Sequence, residues 1–222
     1  MLSVMRAWKA FLGATGLLLA VQLGAAETPK LTAYERAQGW RLLFDGNSLT
    51  DWRGYHQSKT PANWAIVEGS LTSSGGAALV SAEDFKDFEI VFDWKVSAGG
   101  SAEVYFHADD DAASPGDSGP VMQLAGEGMT MAGNGGLTKT WRDITLQPDV
   151  WYRAKLTVFG YQVEHWINGD RVLSYMLNSP DWHTAVAGSR YQAVRDYGLL
   201  REGRIILSGR GVTFRNIKIR AL

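Results

Sequence analysis

GGSAEVYFHADDDAASPGDSGPVMQL, running from Gly99 to Leu124, reads as two β-strands joined by a long acidic loop. In the first strand Ala102, Val104 and Phe106 alternate with Ser101, Glu103, Tyr105 and His107. Successive strand side chains point to opposite faces, so the apolar set faces a core. The other set places a carboxylate, a phenol and an imidazole in a row on one open face. Such a row reads either as the wall of a polar ligand site or as an ordinary solvated sheet face.

The same alternation extends outward. Phe88, Ile90, Phe92, Trp94 and Val96 face one way, and Glu89, Val91, Asp93 and Lys95 the other, the clearest period of two in the chain. Trp64–Leu71 reads as a hairpin turning at Glu68-Gly69, and Ala78–Ser81 as a short strand. Residues 151–158 and 161–167 form a hairpin about Phe159-Gly160, and Asn168-Gly169 turns into Arg171–Tyr175. Arg204–Ser208 and Val212–Arg220 read as two closing strands. Gly126–Gly136 carries five glycines and is a loop whose backbone can approach a ligand closely. It is not followed by the Gly-Lys-Ser/Thr of a phosphate loop. Residues 179–200 read as irregular with room for a helical turn. Many strands at short spacing, and no sustained helical period, predict an all-β jelly-roll sandwich.

The first 26 residues read as a secretory signal. Arg6 and Lys9 precede the apolar run Phe11–Leu23, and small residues Gly24-Ala25-Ala26 follow it. The run is short for a membrane anchor, which needs ~20 apolar residues. Cleavage after Ala26 leaves a lead-in over 27–38 and one domain over 39–222. The expected location is therefore outside the cytoplasm, in a periplasm or the medium. No transmembrane segment is expected in the mature chain. The absence of cysteine excludes a lipid-modified N-terminal Cys, disulfides, thiol catalysis and a Cys-ligated metal. The formal net charge of −1, with no basic stripe, argues against a nucleic-acid partner. Nine Trp and eight Tyr serve a β core or stack on sugar rings equally well.

Several motifs then align in order. LFDGNSLTDW over 43–52, WAIVEGSL over 64–71, FKDFEI over 85–90, ING over 167–169 and VTFRNI over 212–217 together resemble the 3-keto-disaccharide hydrolase domain family. The resemblance implies a concanavalin A-like jelly roll and a carbohydrate ligand or substrate. It covers the chain from about Gly39 to Leu222. The polar positions of the family are rewritten. His107 stands where the family has Arg, and Glu103 where it has Gly. Gln123 is kept, but Val121, Gly126, Ser208 and Arg210 replace Glu, Asp, Gln and His.

Family enzymes act on glycosides already oxidised at C3. The ketone acidifies the C2 proton; a base removes it, the C1 substituent departs, and water adds back. The resemblance implies a base, an acid and a group that polarises the ketone. His107 is the candidate base, Glu103 its orienting group or the acid, and Arg210 the polarising cation. Tyr105, Gln123, Glu127, Ser208 and Trp182 are the candidates for holding substrate, with Trp182 as a stacking platform or a core residue. Glu103 with Glu127 is a conceivable glycosidase pair. No cofactor is expected. Asp109, Asp111 and Asp117 are weak oxygen ligands for Ca²⁺, without the spacing of an EF-hand, and equally an ordinary solvated loop. The alternative reading is a carbohydrate-binding module without catalysis.

Overall fold

A computed structural model describes residues 29–127, 130–142 and 144–222; the expected signal lies outside them. The elements in chain order are α1 (Ala33–Ala37), β1 (Arg41–Leu42), β2 (Trp52–Gly54), β3 (Trp64–Val67), β4 (Ser70–Ser73) and β5 (Leu79–Ser81). There follow β6 (Phe88–Ala108), α2 (Pro115–Ser118), β7 (Val121–Ala125), β8 (Tyr152–Phe159), β9 (Gln162–Ile167), β10 (Asp170–Met176), α3 (Pro180–Ala187) and β11 (Arg204–Ala221). The fold is all-β and antiparallel.

Two long strands form the spine. β6 and β11 pair from Phe88–Ala221 at one end to Ala108–Arg204 at the other. The first half of β6 pairs with β8, which continues through β9 to β10. The middle of β11 pairs with β4, and β4 with β3, while the end of β11 pairs with β1. The second half of β6 pairs instead with β7, and the first part of β11 with β5 and then β2. Between the halves lie Gly99 with φ 70°, Gly211 with φ 64° and a register shift at Arg210/Val212. Glycine and bulges let paired strands bend sharply. The spine thereby serves two layers, and one core packs between them. Phe92, Trp94 and Phe214 from one layer meet Val104, Phe106 and Leu207 from the other, all 1 % exposed or less.

The sequence expectation of separate strands is corrected at two places. Phe88–Ala108 is continuous where a break was expected near Gly99, and Arg204–Ala221 is one strand. Strand pairing across the glycines overrides their low strand propensity. The hairpin turns are as expected. Glu68-Gly69 and Asn168-Gly169 both take two successive positive φ values, 48° with 72° and 51° with 90°, which suit the right-handed twist of a hairpin. The lead-in contains a short helix, α1, closed by a capping box between Thr32 and Glu35. The expected helical turn in residues 179–200 is α3, capped by the Ser179 hydroxyl.

Among the described residues no helix is long and apolar enough to cross a membrane.

Candidate active site

The site is built on the second layer, on the face turned away from the core. Register fixes which side chains share that face. Ser208 of β11 stands opposite Glu103 of β6, and Glu103 opposite Gln123 of β7. Directly opposed residues have Cβ atoms ~5 Å apart, so Ser208, Glu103 and Gln123 form one polar row. Ile206, Tyr105 and Val121 form the next row and join a small apolar cluster with Tyr55 and Val80. Tyr105 lies with its ring in that cluster and donates its hydroxyl to Glu103 Oε2 at 2.7 Å. Burial first, then the Glu103 charge, raises the Tyr105 phenol far above its usual range. Tyr105 is therefore a donor at neutral pH.

His107 does not stand in this row. Ile206 pairs with Tyr105 but Arg204 with Ala108, so Phe106 and His107 together oppose the single residue Ile205. His107 is at φ 44°. The bulge adds one residue, so Ala108 returns to the Tyr105 face while His107 turns inward. Its ring is 1 % exposed and meets Phe88 and Phe106 edge-on. Its Nε2–H donates to the Lys86 carbonyl at 2.6 Å. Burial, the largest influence, lowers its pKa. The expected Glu-Tyr-His row is thus corrected to a Glu-Tyr pair with a core histidine behind it.

Gln123, the cross-strand neighbour of Glu103, lines a cleft of about 580 Å³ together with Glu127, Lys139, Arg190 and residues of the glycine-rich loop. The loop is held at several points. Gln123 exchanges backbone hydrogen bonds with it, donating to Gly133 O and accepting from Ala132 N–H, and its side-chain Oε1 accepts from Gly135 N–H at 3.0 Å. His165, fully buried, donates from Nδ1 to Ala132 O at 2.7 Å. Its Nε2 accepts from the Tyr175 hydroxyl at 3.3 Å. Burial lowers the His165 pKa to about 4, so it is neutral, as this tautomer requires. Asn134 closes the loop's end on Thr138 through two hydrogen bonds.

Arg190 supplies a cation that the sequence reading did not single out. Its Nη2 donates to the Tyr191 hydroxyl at 2.6 Å. That bond, with the charges of Tyr191 and Glu103, raises its pKa. Tyr191 in turn packs on Gly135, where a Cβ would lie 2.3 Å from the Tyr191 oxygen. The five glycines were the available signal, since a loop so free of side chains must be packed closely by something else. Arg190-Tyr191 lies in the irregular segment, where no periodicity marks it.

The other expected residues divide. Glu127 lines the cleft and is exposed. Arg210 shares the outward face with Ser208, but its guanidinium donates to the Gly99 carbonyl at 3.0 Å, over the bend of the spine. Trp182 is 3 % exposed and stacked between Tyr175 and Tyr197, at interplanar angles of 7° and 5°. Both indole faces are covered, so the platform reading is corrected to a core role. Asp109 accepts the Asp111 N–H and Asp117 the Ser114 hydroxyl, each within its own turn. Among the described residues no three His, Asp or Glu side chains converge as a metal site.

The profile of the 3-keto-alpha-glucoside-1,2-lyase-like domain matches residues 39–220. The chain belongs to this family. A relative from Bacteroides thetaiotaomicron, named 3-keto-disaccharide hydrolase, is 28% identical, the match covering 90% of this chain and 84% of the relative. A solved structure from Parabacteroides distasonis, named a candidate glycosyl hydrolase, superposes with a TM-score of 0.81 at 25% identity, covering 88% of this chain and 100% of that one. A carbohydrate-binding module of family 66 from Bacillus subtilis shares the fold, with a TM-score of 0.52 at 16% identity over 78% of this chain and 96% of that one. The jelly-roll architecture and the family expected from the motifs are thereby established.

Proposed function

We propose that this family member is an exported enzyme that cleaves 3-keto-glycosides, with Glu103 as its base. The observation that carries the reading is the Glu103–Tyr105 pair, whose cross-strand neighbour Gln123 lines a polar cleft. A carboxylate is a competent base for a proton made acidic by an adjacent ketone. Tyr105 binds one carboxylate oxygen, Oε2, and in the proposed role the other, Oε1, takes the substrate proton. Arg190, anchored by Tyr191, supplies positive charge where the enolate oxygen develops. Gln123 and Ser208 flank Glu103 in the same row and offer hydrogen bonds to sugar hydroxyls.

In the proposed reaction Glu103 removes the C2 proton and the ketone oxygen takes up the charge. The enolate then re-forms the ketone as the C1–O bond breaks, and the departing oxygen gains a proton. Water adds to the resulting C1=C2 bond. The cleft volume falls within the ~300–1,000 Å³ of small-molecule sites, which suits a disaccharide-sized substrate.

The test is product analysis with 3-keto-α- and 3-keto-β-glucosides in D₂O, comparing wild type with Glu103→Gln. Turnover with deuterium entering at C2, and a kcat at least a hundredfold lower in the variant, is the expected result. Unchanged turnover in Glu103→Gln removes the assigned base. Saturable binding of an oligosaccharide without turnover of any 3-keto substrate replaces the enzyme with a binding module. Export rests on the signal read in residues 1–26, and an N-terminus at Glu27 in protein recovered from outside the cytoplasm is its test.

A further inference from the structure

We propose that the outer face of the β8–β9–β10 layer binds acidic polysaccharide, as a track separate from the cleft. Cations and indoles alternate across this face. The Arg171 guanidinium lies 5.0 Å from the Trp141 ring and 5.9 Å from the Trp166 ring, and Lys155 Nζ lies 4.1 Å from Trp166. Farther along, Arg215 lies 3.8 Å from the Trp151 ring and Lys95 5.1 Å from it. Register puts the set on one side of the sheet: Arg171 pairs with Trp166, Trp166 with Lys155, and Arg215 with Asp93.

Charge on this face is not balanced. Asp93 is shared by Arg153 and Arg215, and Glu89 by Lys155 and Arg220, while among the described residues Glu164 pairs with Arg171 alone, which leaves six cations facing three carboxylates once Lys95 is included. Lys95 has no carboxylate within 4.0 Å among the described residues. The chain as a whole carries a formal charge of −1, so positive charge is concentrated here. Trp141 is 56 % exposed, and the Arg171 and Arg153 side chains 43 % and 60 %. Indole faces stack on the CH faces of sugar rings, and guanidinium groups bind carboxylates in bidentate fashion. A polymer of uronic acids presents both features in alternation. The track also adjoins the cleft: Thr140 lines the cleft, and the next residue is Trp141.

The test uses the full mature chain in native gels containing alginate, or dextran as the uncharged control. Retardation by alginate and not by dextran is expected, and it should fade between 50 and 300 mM salt as screening grows. Trp141→Ala and Arg171→Gln, both at exposed positions, should each weaken alginate binding at least tenfold. Their melting temperatures and their turnover of 3-keto-glucosides should match wild type, so this inference and the enzyme reading fail separately. Equal retardation by dextran overturns the proposal. So does wild-type retardation of both variants, or binding confined to anionic phospholipid vesicles.

Discussion

Tyr105 and His107 lie two residues apart on one strand, yet the Tyr105 hydroxyl reaches the Glu103 carboxylate while the His107 ring is enclosed behind it. One extra residue in β6 separates them. The same bulge encloses the imidazole in the core and leaves the carboxylate–phenol pair as the groups on which the proposed proton chemistry rests.

Tyr105→Phe keeps the ring that fills the apolar cluster and removes only the hydroxyl. The expected outcome is a kcat about tenfold lower on 3-keto-glucosides, near 1.4 kcal/mol, with an unchanged melting temperature. Steady-state kinetics and a thermal melt on the same preparation check this.

His107→Ala should act on stability, not on chemistry. It opens a cavity beside Phe88 and leaves the Lys86 carbonyl without its donor. A loss of about 2–4 kcal/mol is expected, read as a lower urea midpoint. kcat per folded molecule should stay near wild type.

His165 makes the fold acid-sensitive. Its pKa is about 4 in the folded state and ~6.5 when unfolded. Below ~6.5 the unfolded chain therefore binds the extra proton, and stability falls as pH is lowered toward 4. The full effect is on the order of 3 kcal/mol. Urea midpoints at pH 7, 5.5 and 4.5 should decline for wild type. The decline should flatten in His165→Gln, which cannot gain the proton.

Gly135→Ala should damage the cleft without disturbing the core. Gly135 has φ 78°, and an added Cβ would meet the Tyr191 oxygen at 2.3 Å. Either the loop or the Tyr191–Arg190 pair must move. A KM raised at least tenfold, with far-ultraviolet dichroism unchanged, is the expected result.

The strands were legible because apolar side chains recur with a period of two along residues 88–96, as burial does along 152–158, and because Asn168-Gly169 favours one turn geometry. Glu103 and Tyr105 were legible for the same reason, being alternation plus chemistry, whereas Gln123 was legible only through the family motif. His107 was not. Its place depends on a bulge that appears only when β6 meets β11, across about a hundred residues of sequence. Arg190 was hidden differently, since it reaches the cleft from a segment without periodicity and is placed by contact with Gly135 and Tyr191. Trp182 shows the limit of composition: an indole in an irregular stretch looks available until Tyr175 and Tyr197 are seen against its two faces.

The paired spine has a consequence for how the protein is made. β11 is the last element of the sequence, yet it lies at the centre of both layers, between β6 on one side and β4 and β5 on the other. A growing chain that lacks it holds hairpins and open edges but no centre around which they can close. Such distant pairing is slow and leaves sticky intermediates. Synthesis and folding are thus separated in time: the domain cannot take shape until β11 has left the ribosome. Removing the last eighteen residues should yield not a shortened domain but an aggregating chain.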